Sequence, residues 1–327
     1  MAKTITRRRA AIAMLCASFA ASSSHALTAD PWPTKAIRIV VPYAPGGIGD
    51  IVARMIQPVL QAQLKQPIVI ENKPGASGSL GTEYVARSSP DGYTLLLALA
   101  APQTLNQFIY KTGYDGVKDF AAITLVNTNP MVLMVHPSLP VHTVEDLVRY
   151  AQANPGKLSF GGAGGLTSYA GEMFKSMAKI DMVHVPYRGG APAVAATAAG
   201  EVQVTFANYS DALVWMKSGR LRAIAFTSAH RAPQSPDLPT IAESGLPGYD
   251  VTGWSGLLAP AGTPPAVIER IAEVLKPALH DPAMRARMES VGAEPGGNSP
   301  SEFARQVAAD AQKWSEFVRR TGIQINP

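Results

Sequence analysis

The chain has 327 residues, and its hydrophobic share of 46% is that of a globular protein with a core, which excludes a disordered chain. Its formal net charge is +5, but four of the 29 Lys and Arg and none of the 24 Asp and Glu stand in residues 1–26, leaving 25 basic against 24 acidic side chains in the remainder. So neutral a body offers no electrostatic case for nucleic acid or an anionic membrane surface, and its length suggests two domains.

The first 26 residues read as an export leader. Lys3, Arg7, Arg8 and Arg9 form a basic start, Ala10 to Ala21 an apolar run, and Ser24-His25-Ala26 a small–x–small cleavage site. The run is too short for a permanent membrane span. Cleavage is expected after Ala26, giving a periplasmic product, with the paired arginines leaving the twin-arginine route open beside the general one. Cys16, the single cysteine, falls inside the leader, so the mature chain needs no disulfide.

Short β-rich runs then alternate with helical patterns, the order of an α/β fold with largely parallel sheets. Residues 37–41 read as a strand, 50–64 as a helix that Pro58 should kink, 68–70 as a strand, 80–88 as a helix, and 94–98 and 122–126 as strands. A second series starts at Val132. Strands are expected at 132–135, 158–160, 182–185, 202–206 and 221–226, with helices at 144–153, 168–178, 191–199 and 211–217 between them. Residues 228–248 form a proline-rich loop, 254–259 a last strand, and 266–322 read as helical after the Gly262-Thr263-Pro264-Pro265 start signal. The expected layout is one lobe from residues 28–126 plus 252–327 and an inserted lobe from 127–251. Two chain crossings would make a hinge, with the ligand cleft between the lobes.

Candidate binding residues stand where strands run into helices. In Pro42-Tyr43-Ala44-Pro45-Gly46-Gly47-Ile48-Gly49-Asp50 a glycine-rich turn opens a helix, and Gly46 and Gly47 would let backbone N–H groups approach an anion. A plain tight turn capped by Asp50 explains the same glycines. Residues 161–168 repeat the arrangement in the second series, with Thr167 or Ser168 as the expected N-cap and possible ligand donor. Arg188 and Asn208 stand at two further strand ends, where each either meets a carboxylate or braces the lobe. Catalytic patterns are weak. There is no Gly-x-Ser-x-Gly elbow, and His136, His142, His184, His230 and His280 are scattered without metal-ligand spacing, so no enzyme activity, cofactor or metal is expected. A dinucleotide site at Gly47-Ile48-Gly49 with Glu71 as the ribose acid is the rival, weakened by Val52 at the third glycine position.

Several motifs in order carry a resemblance over essentially the whole mature chain: VVPYAPGGIGD (40–50), VIENKPGASGSLG (69–81), SPDGYTL (89–95), HVPYRG (184–189) and LPTIAESGLPG (238–248). The chain resembles the tripartite tricarboxylate transporter receptors, also called Bug-type solute-binding proteins. The resemblance implies a type II periplasmic-binding fold that closes on a small organic acid and hands it to integral membrane transporter subunits. It implies ligand contacts at Gly46, Gly47, Thr167, Ser168 and near Arg188 and Asn208, and Tyr43 and Ala100, beside these loops, are expected to join them. A monomer is expected, and a role as the sensing partner of a signalling system is the other non-enzymatic reading. Ala98, Leu99, Ala100 and Ala101 stand where relatives often place polar residues, and Ala207 replaces the acid of Phe-Asp-Asn. An apolar wall without an acid favours aromatic mono- or dicarboxylates over zwitterions.

Overall fold

The computed structural model describes residues 32–162 and 165–323. The predicted leader, its cleavage point and Cys16 lie outside the described residues. By internal contacts the chain divides into Met1–Thr34 and Lys35–Pro327, and the fold is that of the second unit.

It begins with β1 (Ile37–Val41), α1 (Ile48–Leu64), β2 (Ile68–Asn72), α2 (Ser79–Ala86), β3 (Thr94–Leu99) and β4 (Phe120–Asn129). Then follow β5 (Met131–Val135), α3 (Val144–Ala153), β6 (Ser159–Gly162), α4 (Gly165–Ala178), β7 (Val183–Pro186), α5 (Gly190–Ala198), β8 (Val204–Asn208), α6 (Tyr209–Lys217) and β9 (Arg222–Phe226). The chain closes with β10 (Gly253–Pro260), α7 (Pro265–Leu279), α8 (Pro282–Glu289), β11 (Glu294–Pro295) and α9 (Pro300–Thr321).

Two sheets result, one per lobe. The first has the order β11-β4-β10-β3-β1-β2, the second β7-β6-β8-β5-β9. In the first, β1 pairs in parallel with β2 on one side and β3 on the other; in the second, β6 does the same with β7 and β8. Each sheet therefore reverses its strand order once, between β1 and β3 and between β6 and β8, and the C-terminal ends of those strands border a crevice suited to a ligand. Both sheets are mixed rather than largely parallel. β10 runs antiparallel to β3 and β4, and β5 runs antiparallel to β8 and β9. These long strands carry the chain between the lobes at Pro130 and near Thr252, a connection that alternation of apolar residues does not orient.

Apolar spacing explains the helices. In α1, Val52, Met55, Ile56, Leu60 and Leu64 form one buried face, and the helix continues through Pro58 to a left-handed Lys65. The stretch expected as one helical region at the C-terminus is broken into three helices. Asp281 caps α8 by accepting from Ala283 and Met284, and Ser299 caps α9 in a capping box with Glu302. Each cap starts a new helix with a proline at its first position, where the missing N–H costs nothing.

In the second lobe α4 covers one sheet face, where Tyr169 and Phe174 meet Phe160 and Phe206. α5 and α6 cover the other, where Val194 and Ala212 meet Val132, Met134 and Ala207. The last helix, α9, belongs to both cores. Its Phe303 and Val307 pack with Leu96 and Trp254 of the first lobe. Its Trp314 and Phe317 pack with Tyr169 and Tyr249 of the second, and the Trp314 and Tyr169 rings meet edge to face at 6.1 Å.

Candidate ligand crevice

Three helices of the second lobe, α4, α5 and α6, start at the same sheet edge, directly after β6, β7 and β8. In the first lobe α1 and α2 start after β1 and β2, and a short π-helical turn, Ala101–Leu105, follows β3. Each helix start aims backbone N–H groups without intrahelical partners past the strand ends, a setting that favours anions. The two edges approach one another: a side chain at Gly165 would stand 3.7 Å from Cβ of Ala101, and Leu166 lies 3.8 Å from where one at Gly253 would be.

The α1 start is open. Residues 44–47 are exposed, and a Cβ at Gly47 would meet only the Ala44 carbonyl, at 3.8 Å. Gly47 is the N-cap, with φ −75°, an extended backbone that other residues also adopt. Gly46 differs, since its φ of +87° requires glycine. Its N–H donates to Oδ2 of Asp50 at 3.0 Å, so that donor is already engaged and the anion-facing groups are those of Gly47 and the first helical turn. Asp50 is buried in the first turn of α1, where it holds the loop rather than capping the helix. The Arg54 guanidinium, bonded at 3.0 Å, holds its carboxyl below the usual carboxylate range.

Tyr43 is half-buried and donates to the Ser77 carbonyl at 3.0 Å, while its ring lies over Gly78. Burial, with Tyr114 and Tyr110 nearby, pushes its phenol well up, so it stays a neutral donor. Ser77 and Ala76 both take left-handed conformations, φ +52° and +47°. Asn106 clamps the loop by donating to the Ser77 carbonyl and the Ser79 hydroxyl, at 3.0 and 2.9 Å. Two donors, the Tyr43 phenol and the Asn106 amide, hold this left-handed pair in place. Residues 76–79 and Asn106 were missed in the sequence because the clamp joins residues 29 apart.

The α4 start is closed. Thr167 and Ser168 are buried and stand inside the helix, which begins at Gly165, so neither is the N-cap that was expected. Gly165 itself opens the helix, which puts both hydroxyls in its first turn. Ser168 Oγ lies 3.0 Å from Nε2 of His184, whose ring stacks on Phe160. Burial, and then the Lys175 charge, push the imidazole pKa down.

Arg188 is exposed and forms no ion pair among the described residues. Asn208 is the N-cap of α6, which begins at Tyr209 and not at Asp211, and its Nδ2 donates to Oδ2 of Asp211 at 3.3 Å. Asp211 thus supplies an acid at this edge that was not anticipated. The helix-first-turn spacing Asn208–Asp211 was the available signal. Ala207, by contrast, is packed under α5 and α6, so its identity does not decide the charge of the crevice. Of the expected apolar wall, Ala98, Ala100 and Ala101 are buried in the cores and Leu99 alone is half-exposed, packed over Gly49. Two surface grooves, of about 520 and 690 Å³, lie elsewhere, beside Val59, Pro277 and Met284 and beside Met216, Gln234 and Leu238. No helix among the described residues is long and apolar enough to cross a membrane.

Residues 52–323 match the family described as the tripartite tricarboxylate transporter family receptor. BugT of Bordetella pertussis is 32% identical over 325 residues, 98% of this chain and 99% of the relative. Among solved structures, Rpa4515 of R. palustris with adipate is 35% identical at a TM-score of 0.79, covering 90% of this chain and 99% of that one. MatC from Rhodopseudomonas palustris with bound malate is 30% identical at 0.76, covering 88% and 100%. Sequence motifs, two-sheet fold and these matches agree: the chain belongs to the tripartite tricarboxylate transporter receptor family.

Proposed function

We propose that this chain is a periplasmic receptor that captures a small organic carboxylate between its two strand edges and delivers it to a membrane transporter, without turnover. The observation that carries the reading is the pairing of an open helix start at Gly47 with a cluster of three helix starts across the crevice. One ligand carboxylate meets the Gly47 turn, and the other end of the ligand meets the edge of Arg188 and Asn208, beside the closed start of α4. Residues 127–251 are the lobe that closes. A similar protein holds adipate, a dicarboxylate with an apolar body. Leu99, Leu166 and the Tyr43 ring, all half-buried, suit such a body, so the preference extends to aromatic mono- and dicarboxylates.

Calorimetry on the ligand-free mature protein tests this. Adipate, phthalate and benzoate are expected to bind, and aspartate and citrate to bind more weakly. Tight binding of aspartate or citrate with no heat from the other three would overturn the preference. Heat from none of the five would remove the carboxylate reading.

A further inference from the structure

At the second-lobe edge one side chain is not accounted for by packing. Asp211 is half-buried in the first turn of α6, and its Oδ2 sits directly over Gly190, the first residue of α5, where a β-carbon would collide with it. β7 and β8, which lead into these two helices, flank β6 on either side, so the carboxyl stands between two helix starts at the sheet edge that the crevice borders. A carboxylate has room for about four hydrogen bonds. This one accepts a single bond, from Asn208 at 3.3 Å, and makes no ion pair among the described residues. Burial pushes its pKa up and the Asn208 bond pulls it back only in part. A carboxyl held under these conditions has acceptor capacity that the protein itself leaves unused.

Resting on the carboxylate-receptor reading, we infer that Asp211 is a specificity-determining residue that accepts a hydrogen bond from a hydroxyl on the ligand, so that the receptor selects hydroxylated carboxylates over their unsubstituted parents. The surroundings choose a hydroxyl rather than an ammonium. Three helix starts and the unpaired guanidinium of Arg188 make this edge electropositive, which repels a full cation. A hydroxyl offers the proton without the charge. Its carboxylate meets Arg188 or a helix start while its hydroxyl turns to Asp211, and the Asn208 amide keeps the acceptor oriented. A ligand lacking the hydroxyl excludes solvent from the half-buried carboxylate and returns no hydrogen bond to it, which is the asymmetry that makes polar discrimination strong.

The test is calorimetry with pairs that differ by one hydroxyl, malate against succinate and 3-hydroxybenzoate against benzoate, on wild type, Asp211→Ala and Asp211→Asn. In wild type the hydroxylated member of whichever pair binds is expected to be about tenfold or more tighter. In Asp211→Ala that ratio should fall to near one; Asp211→Asn, which retains an acceptor oxygen, should fall between. Equal affinities within a pair in wild type, or a hydroxyl preference that survives in Asp211→Ala, would overturn the inference and leave the receptor reading standing. Failure of all four acids, together with adipate, to bind folded wild type would overturn both. Circular dichroism and melting of each variant confirm that lost selectivity is not lost fold.

Discussion

The turns at residues 44–49 and 161–165 are alike in composition, and both join a parallel strand to a helix, yet the protein uses their glycines differently. Around Gly47 there is empty space, and the turn is secured from behind by the bond from Gly46 to Asp50. At Gly162 there is no space at all, because Ser168 and the His184 ring fill the position a β-carbon would need. Glycine in the first turn leaves room for something outside the protein. In the second it makes room for the protein itself. A glycine-rich turn is therefore not one signal but two, told apart only by what lies beyond the missing side chain.

Substitutions sharpen the contrast. Gly162→Ala should be the most damaging, since His184 Nε2 would lie 2.7 Å and Ser168 Cα 3.0 Å from the new methyl. Urea unfolding is expected to show a loss of about 3 kcal/mol, and a stability equal to wild type would mean that the turn is not closed. Gly47→Val should leave urea unfolding nearly unchanged but weaken adipate binding about 30-fold, roughly 2 kcal/mol, by covering the first-turn N–H groups. Full affinity in a folded Gly47→Val protein would exclude this turn from the site.

Asp50→Ala should give the smallest effect, about 1.5 kcal/mol of stability at neutral pH. Its folded pKa lies below the ordinary 3.8, chiefly through the bond from Arg54. The stabilisation is therefore present above about pH 4 and fades as pH falls through the lower folded value. Melting curves of wild type and variant should converge in acid; a gap that persists at pH 2 would place the contribution elsewhere.

What could be read in the sequence was local. Residues 37–41 and 94–98 are apolar enough to be strands in any α/β arrangement, and Val52, Met55, Ile56 and Leu60 announce one helix face. The family motifs carried the two-lobed architecture. Contacts between distant segments were not legible. Ser168 and His184 are joined by the pairing of β6 with β7, and Asp211 reaches Gly190 only because α5 and α6 pack side by side. That Ala207 does not line the crevice was not legible for a related reason. A residue's place in a motif says which strand it is on, but alternation within that strand sends it under the helices, and an acid four positions later stands at the edge instead.

The placement of α9 has a consequence for how the protein melts. A single helix contributes Phe303 to one core and Trp314 to the other. Unfolding either lobe must strip part of that helix of its packing, and helices this dependent on burial do not persist alone. The two lobes should then lose structure together, in one calorimetric transition whose van't Hoff and measured enthalpies agree. The indole of Trp314 and the heat absorbed by both sheets would report the same midpoint.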